Sequence, residues 1–217
     1  MERPQDRPRY IAVEGPIGVG KTTLAQILAE RLGGRLFLEP VEENPFLPAF
    51  YEDARKNAFQ TQLFFLLSRF QQQQQLFQQD LFTQSTISDY LFAKDRIFAN
   101  LNLADDELAL YDQLAGILEQ RILKPDLVIY LQASTPTLLR RIAGRGRAYE
   151  RDMDRDYLAA LNTAYSFFFH HYTNSPLLVV NADEIDYVGV PQDLDLLLEQ
   201  LREPFAGTRF FAPPSRG

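Results

Sequence analysis

One short segment constrains the fold of this chain more than any other part of its sequence. It reads Gly15, Pro16, Ile17, Gly18, Val19, Gly20, Lys21, Thr22 and Thr23. This order satisfies the phosphate-binding pattern G-x-x-x-x-G-K-S/T. A short apolar strand pattern comes before it at 10–13, and leucine and isoleucine recur at helical spacing after it. The segment therefore predicts a strand, a glycine turn and a helix in succession.

That arrangement predicts the chemistry of one ligand. A glycine turn at a strand-to-helix junction lets successive backbone N–H groups converge on phosphate oxygens, and the helix N-terminus adds partial positive charge. Lys21 is expected to reach the β- and γ-phosphates, and the Thr22 hydroxyl is expected to bind Mg²⁺. The sequence thus predicts binding of ATP, or another nucleoside triphosphate, together with Mg²⁺.

Composition narrows the classes of protein to which this chain can belong. The 217 residues are 46% hydrophobic, which is enough for one substantial core, so a single domain is expected over 1–217. Absence of cysteine excludes disulfides and thiolate metal sites and fits a cytoplasmic protein. A net charge of −7 argues against nucleic acid as a partner. No apolar run reaches membrane-spanning length, so no membrane association is expected.

The pattern of apolar runs predicts an α/β fold. Five buried strands are expected at 9–14, 35–38, 84–88, 126–132 and 176–180. Helical patterns separate these strands, which indicates a mostly parallel sheet. The leader at 1–8 and the tail at 203–217 are rich in proline and are expected to be irregular.

A long uninterrupted helix is expected at 56–79. Its segment 63–67 is apolar all round, which predicts that it is covered on two sides. One cover would be the sheet, and the other a second subunit. The glutamine run at 71–75 is interpreted as a solvated helix end.

Three further features separate the classes of protein that share a phosphate-binding loop. Glu39 follows the second strand, at the sheet edge where ligands bind in open α/β folds. The arginine-rich segment 140–147 is interrupted by glycine and predicts a mobile lid over the phosphates. A guanine-reading Asn-Lys-x-Asp motif is missing from the sequence, which weakens the GTPase alternative.

Several motifs in this order resemble the deoxynucleoside kinase family, specifically its bacterial deoxyadenosine and deoxyguanosine kinase branch. They are 14–22, 38–41 (Leu-Glu-Pro-Val), 59–61 (Phe-Gln-Thr), and 145–147 followed by Glu150. The resemblance covers about residues 10–187. It implies a P-loop kinase fold with a parallel five-stranded sheet flanked by helices, an arginine-rich lid and a homodimer built through helices. It also implies γ-phosphoryl transfer to the 5′-hydroxyl of a deoxynucleoside.

Chemistry and the resemblance together suggest catalytic roles. Glu39 is the candidate general base, because a sugar hydroxyl becomes a good nucleophile only when its proton has an acceptor. Lys21 and the lid residues Arg141, Arg145 and Arg147 are expected to stabilise charge on the transferring group.

The resemblance also implies substrate contacts. Gln60 would hydrogen-bond a base edge, and Phe98 would stack on the base. Asp95 would contact the nucleobase, while Tyr51 and Glu150 would hold the sugar 3′-hydroxyl. Together these contacts favour purine deoxynucleosides over thymidine and over ribonucleosides.

The sequence departs from the family pattern after the third strand. The family usually carries an acidic residue followed by Arg-Ser, whereas this chain has Asp89 followed by Tyr90. Asp89 keeps the carboxylate and, with Thr22, is a candidate Mg²⁺ ligand. The lost arginine raises the question of whether Lys94 or Arg96 supplies the missing cation.

Two other functions stay open at the level of sequence. A nucleoside monophosphate kinase would share the sheet and loop, but it needs extra cations for the acceptor phosphate. A non-catalytic nucleotide-binding switch would have no need of Glu39.

Overall fold

The computed structural model describes residues 10–79, 85–150 and 153–214. Its strands form one six-stranded parallel sheet in the order β2-β3-β1-β4-β5-β6. They are β1 Tyr10–Glu14, β2 Arg35–Phe37, β3 Thr86–Ser88, β4 Leu127–Gln132, β5 Leu177–Asn181 and β6 Thr208–Phe211.

Helices connect the strands and cover the sheet. They are α1 Lys21–Leu32, α2 Leu47–Glu52, α3 Ala54–Gln79, α4 Asp95–Asn102, α5 Asp105–Glu119, α6 Thr135–Arg145, α7 Arg155–His170 and α8 Pro191–Gln200. Short 3₁₀ turns occupy Val41–Glu43, Phe92–Lys94 and Ala148–Glu150. In the described ranges, no helix combines the length and the apolar character needed to cross a membrane.

The central strands explain the continuous apolar runs in the sequence. Every residue of β1 is buried, and so are the first five residues of β4. Strands covered by helices on both faces are apolar throughout, unlike half-exposed strands, which alternate. The prediction of an α/β fold with a parallel sheet is therefore confirmed.

The number of strands was predicted incorrectly. The tail at 203–217 was expected to be irregular, but β6 lies within it and pairs in parallel with β5. An edge strand has one neighbour, and β6 alternates between exposed and half-buried residues, with Phe210 77% exposed. Such a strand lacks the apolar run that marks a central strand. The predicted leader at 1–8 lies outside the described residues.

Helix α3 confirms the predicted long helix, but its environment differs from the prediction. In the apolar segment, Leu66 is buried against α4, α5 and the turn Phe92–Lys94, in a cluster separate from the main core. Near the C-terminal end, Leu76 packs with Tyr10 and Phe37 of the sheet. Neighbouring helices therefore cover this segment where the sheet was expected to do so.

Candidate active site

The carboxyl ends of three adjacent strands bring the predicted site residues together. The phosphate-binding loop follows β1, Glu39 follows β2, and Asp89 follows β3, and these strands are neighbours in the sheet. They meet at the edge of a cavity of about 710 Å³. This cavity is lined by the loop, by α2 and α3, and by the lid arginines.

The phosphate-binding loop is a backbone structure that only glycine permits. Gly18 and Gly20 have φ angles of +84° and +106°, in the left-handed region. A Cβ added at Gly18 would lie 2.6 Å from Ile142 Cγ1 and 3.0 Å from the carbonyl oxygen of Leu138. The pattern of glycines is thus required by both backbone conformation and close packing.

Lys21 lies inside this loop. Its Nζ donates hydrogen bonds to the carbonyl oxygens of Gly15 at 2.7 Å and Pro16 at 3.2 Å. Burial lowers the pKa of Lys21 to about 8, although the nearby carboxylate of Glu14 opposes that shift. A partly buried ammonium held by backbone carbonyl groups is well suited to meet phosphate oxygens.

Thr22 and Asp89 are adjacent, as the prediction of a Mg²⁺ site requires. The Thr22 hydroxyl donates to Asp89 Oδ2 at 2.6 Å, and Asp89 Oδ1 accepts the backbone N–H of Glu39 at 2.7 Å. A hydroxyl and a carboxylate supply the hard oxygen atoms that Mg²⁺ prefers. The residues therefore fit the ion, which would keep several water ligands.

Glu39 lies between two buried cations. Arg69 Nε donates to its Oε1 at 2.6 Å, and Lys94 Nζ donates to its Oε2 at 2.6 Å. Burial alone would raise the pKa of Glu39, but the charges and hydrogen bonds of Arg69 and Lys94 lower it to about 2. The carboxylate is therefore ionised at neutral pH.

Arg69 also joins Glu39 to a second carboxylate. Its guanidinium pairs with Asp95, whose other oxygen accepts the Tyr111 hydroxyl at 3.0 Å. Asp95 is 1% exposed, and it lies behind Arg69 and Gln62, so its side chain is not among the described residues that line the cavity. Asp95 therefore holds Arg69 and Gln62 in place, and its direct contact with the base stays a prediction.

The glutamine of α3 that lines the cavity is not the one that the sequence predicted to contact the base. Gln60 donates to the backbone oxygen of Lys56 and to Asn57 Oδ1, and it is not among the described cavity residues. Gln62 lines the cavity, with its amide donating to Asp95 Oδ1 at 2.7 Å. Two residues correspond to about 200° around a helix, so the two glutamines project from different sides of α3.

The structure brings the other predicted substrate contacts to the cavity. Tyr51, Phe98 and Glu150 all line it. The Tyr51 ring stacks on the Tyr149 ring, with 5.5 Å between the ring centroids. The rings of Phe98 and Tyr165 make an edge-to-face contact, with 6.1 Å between their centroids. Burial raises the pKa of the Tyr51 phenol, which therefore remains a hydrogen-bond donor.

The three lid arginines also line the cavity, each with different partners. Arg141 donates to the backbone oxygens of Val19 and Ala182, both at 2.8 Å, and so supports the phosphate-binding loop. Arg145 is the last residue of α6 and pairs with Glu150. Arg147 lies 3.2 Å from Glu42 and 3.6 Å from Glu150. Gly146 adopts a left-handed conformation between them.

Sequence reasoning missed Arg69 and Gln62. Their spacing carried a signal, because residues at i and i+7 lie on one face of a helix. Two polar side chains on one face of an otherwise apolar segment indicate a polar surface facing a cavity. Phe65, between them at i+3, lines the same cavity.

Comparison with known proteins agrees with this geometry. A family model for deoxynucleoside kinases matches residues 11–205. The deoxyguanosine kinase of Bacillus subtilis is 35% identical over 199 residues, covering 89% of this chain and 96% of the relative. The deoxyadenosine kinase of Lactobacillus acidophilus is 35% identical over 194 residues, covering 83% and 88%.

A solved structure extends the likeness to the fold. The deoxyadenosine kinase from M. mycoides with bound dATP has a TM-score of 0.79 and 30% sequence identity, covering 89% of this chain and all of the other. The resemblance inferred from the motifs is confirmed. The chain belongs to the deoxynucleoside kinase family and is an enzyme that phosphorylates deoxynucleosides.

Proposed function

We propose that this enzyme transfers the γ-phosphoryl group of ATP to the 5′-hydroxyl of a purine deoxynucleoside, in nucleotide salvage in the cytoplasm. One observation carries the proposal: the ionised carboxylate of Glu39 lies in the same cavity as the phosphate-binding loop. The names of the relatives support deoxyadenosine or deoxyguanosine as the acceptor.

The donor is held by the loop and its helix. Backbone N–H groups of the loop and the positive end of α1 face the phosphates, and Lys21 adds a charge. Thr22 and Asp89 would hold Mg²⁺, which when bound neutralises charge on the β- and γ-phosphates. Arg141, Arg145 and Arg147 stabilise the charge on the transferring group from the lid.

Transfer joins the acceptor's 5′-oxygen to the γ-phosphorus. The bond from that phosphorus to the β–γ bridging oxygen breaks, and ADP leaves. The proton of the 5′-hydroxyl passes to Glu39, whose carboxylate oxygens accept more than one hydrogen bond each. Arg69 and Lys94 stabilise the ionised form of Glu39 before transfer.

The acceptor is selected by side chains around the cavity. Phe98 stacks on the base, and Gln62 takes the role first expected of Gln60. Asp95 acts on the base through Gln62, since it accepts one amide N–H and thereby orients the amide. Tyr51 and Glu150 hold the 3′-hydroxyl and leave little space for a 2′-hydroxyl. A base that leaves Gln62 unpaired loses about 1–3 kcal/mol.

A panel of acceptors tests this proposal. The full-length enzyme is incubated with labelled ATP and Mg²⁺ plus deoxyadenosine, deoxyguanosine, deoxycytidine, thymidine, adenosine or deoxyadenosine monophosphate. We expect the highest kcat/KM with deoxyadenosine or deoxyguanosine. A higher value for thymidine or adenosine contradicts the acceptor selectivity, and preference for the monophosphate supports the monophosphate kinase alternative.

The enzyme assembles as a homodimer through helices α3 and α5. Large apolar side chains exposed on these helices support this assembly: Leu67 is 45% exposed, Leu110 49% and Ile117 61%. Analytical ultracentrifugation at micromolar concentration is expected to give the mass of a dimer. Leu67→Glu is expected to weaken that dimer, and a wild-type monomer under these conditions contradicts the proposal.

A further inference from the structure

Two cations flank Asp95 in the sequence, and the fold sends them to different places. Lys94 ends the turn Phe92–Lys94, is 3% exposed and lines the cavity. Arg96 points to α5, where it hydrogen-bonds Asp112 at 2.7 Å and Glu119 at 2.7 Å. Its side chain is 34% exposed. Only Lys94 of the two is placed to act on a substrate in the cavity.

Lys94 completes the polar environment of Glu39. Arg69 contacts one carboxylate oxygen and Lys94 the other, so the two cations fix the plane of the carboxylate. Such charge-assisted hydrogen bonds are short and strong. A carboxylate oxygen accepts about two hydrogen bonds, so Oε2 can bind the 5′-hydroxyl while it holds Lys94.

The neighbouring position 90 does not supply this cation. Tyr90 is fully buried and, unlike Asp89 beside it, is not among the described residues that line the cavity. A tyrosine in any case carries no positive charge at neutral pH. The positive charge beside Glu39 Oε2 comes from Lys94, four residues further along the chain.

Lys94 also lies close enough to Lys21 for the two charges to interact. Its charge adds to the lowering of the pKa of Lys21, after the larger effect of burial. An ammonium has three N–H donors, and Glu39 is the acceptor found for Lys94 among the described residues. This contact ties the position of the ammonium to the carboxylate of Glu39.

We infer that Lys94 is a positioning residue for phosphoryl transfer, which aims the Glu39 carboxylate at the 5′-hydroxyl. This inference rests on the proposed function, because it assigns Lys94 to the same reaction. A purely structural role would instead require Lys94 only as a counter-charge for a buried acid.

Steady-state kinetics of three full-length variants test the inference with deoxyadenosine and ATP. Lys94→Met is expected to lower kcat by about 10- to 100-fold while the KM for ATP changes by less than about threefold. Lys94→Arg, which keeps the charge, is expected to recover most of the lost kcat. Arg96→Met is the matched control, and its kcat is expected to remain within about twofold of wild type, because it lies outside the cavity.

A double-mutant cycle identifies the residue through which Lys94 acts. If Lys94 works by aiming Glu39, Lys94→Met has little further effect on kcat in the Glu39→Gln background. An equal loss in both backgrounds, or a single Lys94→Met variant with kcat within about twofold of wild type, overturns the inference. Should Lys94→Met melt below the assay temperature, Lys94→Gln serves in its place.

Failure of the inference and failure of the proposed function give different results. A wild-type enzyme that phosphorylates no purine deoxynucleoside contradicts the proposed function. A wild-type enzyme that is active, beside an equally active and folded Lys94→Met variant, contradicts only the role of Lys94.

Discussion

The donor and acceptor ends of the cavity are built in different ways. The donor end is formed by main-chain atoms of one continuous segment, 15–23, whose glycines take up conformations closed to other residues. The acceptor end is formed by side chains from several helices and turns. A phosphate site of the first kind can be identified from a local pattern, whereas a nucleoside pocket of the second kind depends on tertiary packing.

The two ends also differ in how far apart their contacting residues lie in the sequence. Lys21 contacts Gly15 across six residues, whereas Arg69 reaches Glu39 across 30 residues and Lys94 reaches it across 55. Buried ion pairs of this kind are sensitive to loss of one partner, at a cost of about 3–5 kcal/mol. We therefore expect the acceptor end to be disturbed by side-chain changes and the donor end by backbone changes.

The largest expected effect is at the acceptor end. Glu39→Gln should lower kcat by about 10²–10⁴-fold, because it removes the proton acceptor, and should leave the KM for ATP within about threefold. Steady-state kinetics measure both quantities. Glu43→Gln is the matched control, since Glu43 is an exposed carboxylate four residues away. Near-normal kcat in Glu39→Gln would remove Glu39 as the base.

A backbone change tests the donor end. Gly18→Ala places a Cβ in a strained conformation against Ile142 and the Leu138 carbonyl, at a cost of about 1–3 kcal/mol. We expect kcat/KM for ATP to fall by about 10- to 100-fold, with little change in the KM for deoxyadenosine.

Gly33→Ala is its control. Gly33 also has a positive φ, of +62°, but a Cβ there would have no described atom within 4 Å. This variant should lose about 1 kcal/mol of stability and keep its kinetic constants. Equal kinetic losses in the two variants would show that backbone strain anywhere near α1 lowers activity. That result would contradict the assignment of Gly18 to the phosphate site.

The smallest expected effect separates the two glutamines of α3. Gln62→Ala should lower kcat/KM for deoxyadenosine by about 5- to 30-fold, because the base loses a hydrogen bond of about 1–2 kcal/mol. Gln60→Ala should stay within about twofold of wild type, since Gln60 bonds to its own helix. Steady-state kinetics with deoxyadenosine as the acceptor measure kcat/KM for each variant and for wild type. The opposite ranking would return the role to Gln60.

The errors in prediction have specific physical causes. The motif Phe59-Gln60 drew attention to a glutamine that is not among the described cavity residues, because a motif does not state which side of a helix faces a cavity. The glutamine run was interpreted as solvated, yet Gln73 is 1% exposed and donates to the Tyr10 hydroxyl. Both cases concern the orientation of α3, which is set by its packing against the sheet and against other helices.

The sequence by itself determined the donor site and the type of fold. Glycines at fixed positions, a lysine after them, and apolar runs for β1, β4 and β5 act over a few residues, where local sterics and hydrophobic patterning decide. The pairing of Thr22 with Asp89 also followed, because carboxyl ends of parallel strands share one edge.

Only the tertiary structure decided the acceptor site. It brought Arg69 and Lys94 to Glu39, placed Asp95 behind Gln62 and sent Arg96 away to α5. These positions depend on how α3, α4 and α5 pack, and packing is a sum of many weak, distant contacts that no single motif encodes. Charged side chains are then buried where a partner is available, and the partner is known only once the chain has folded.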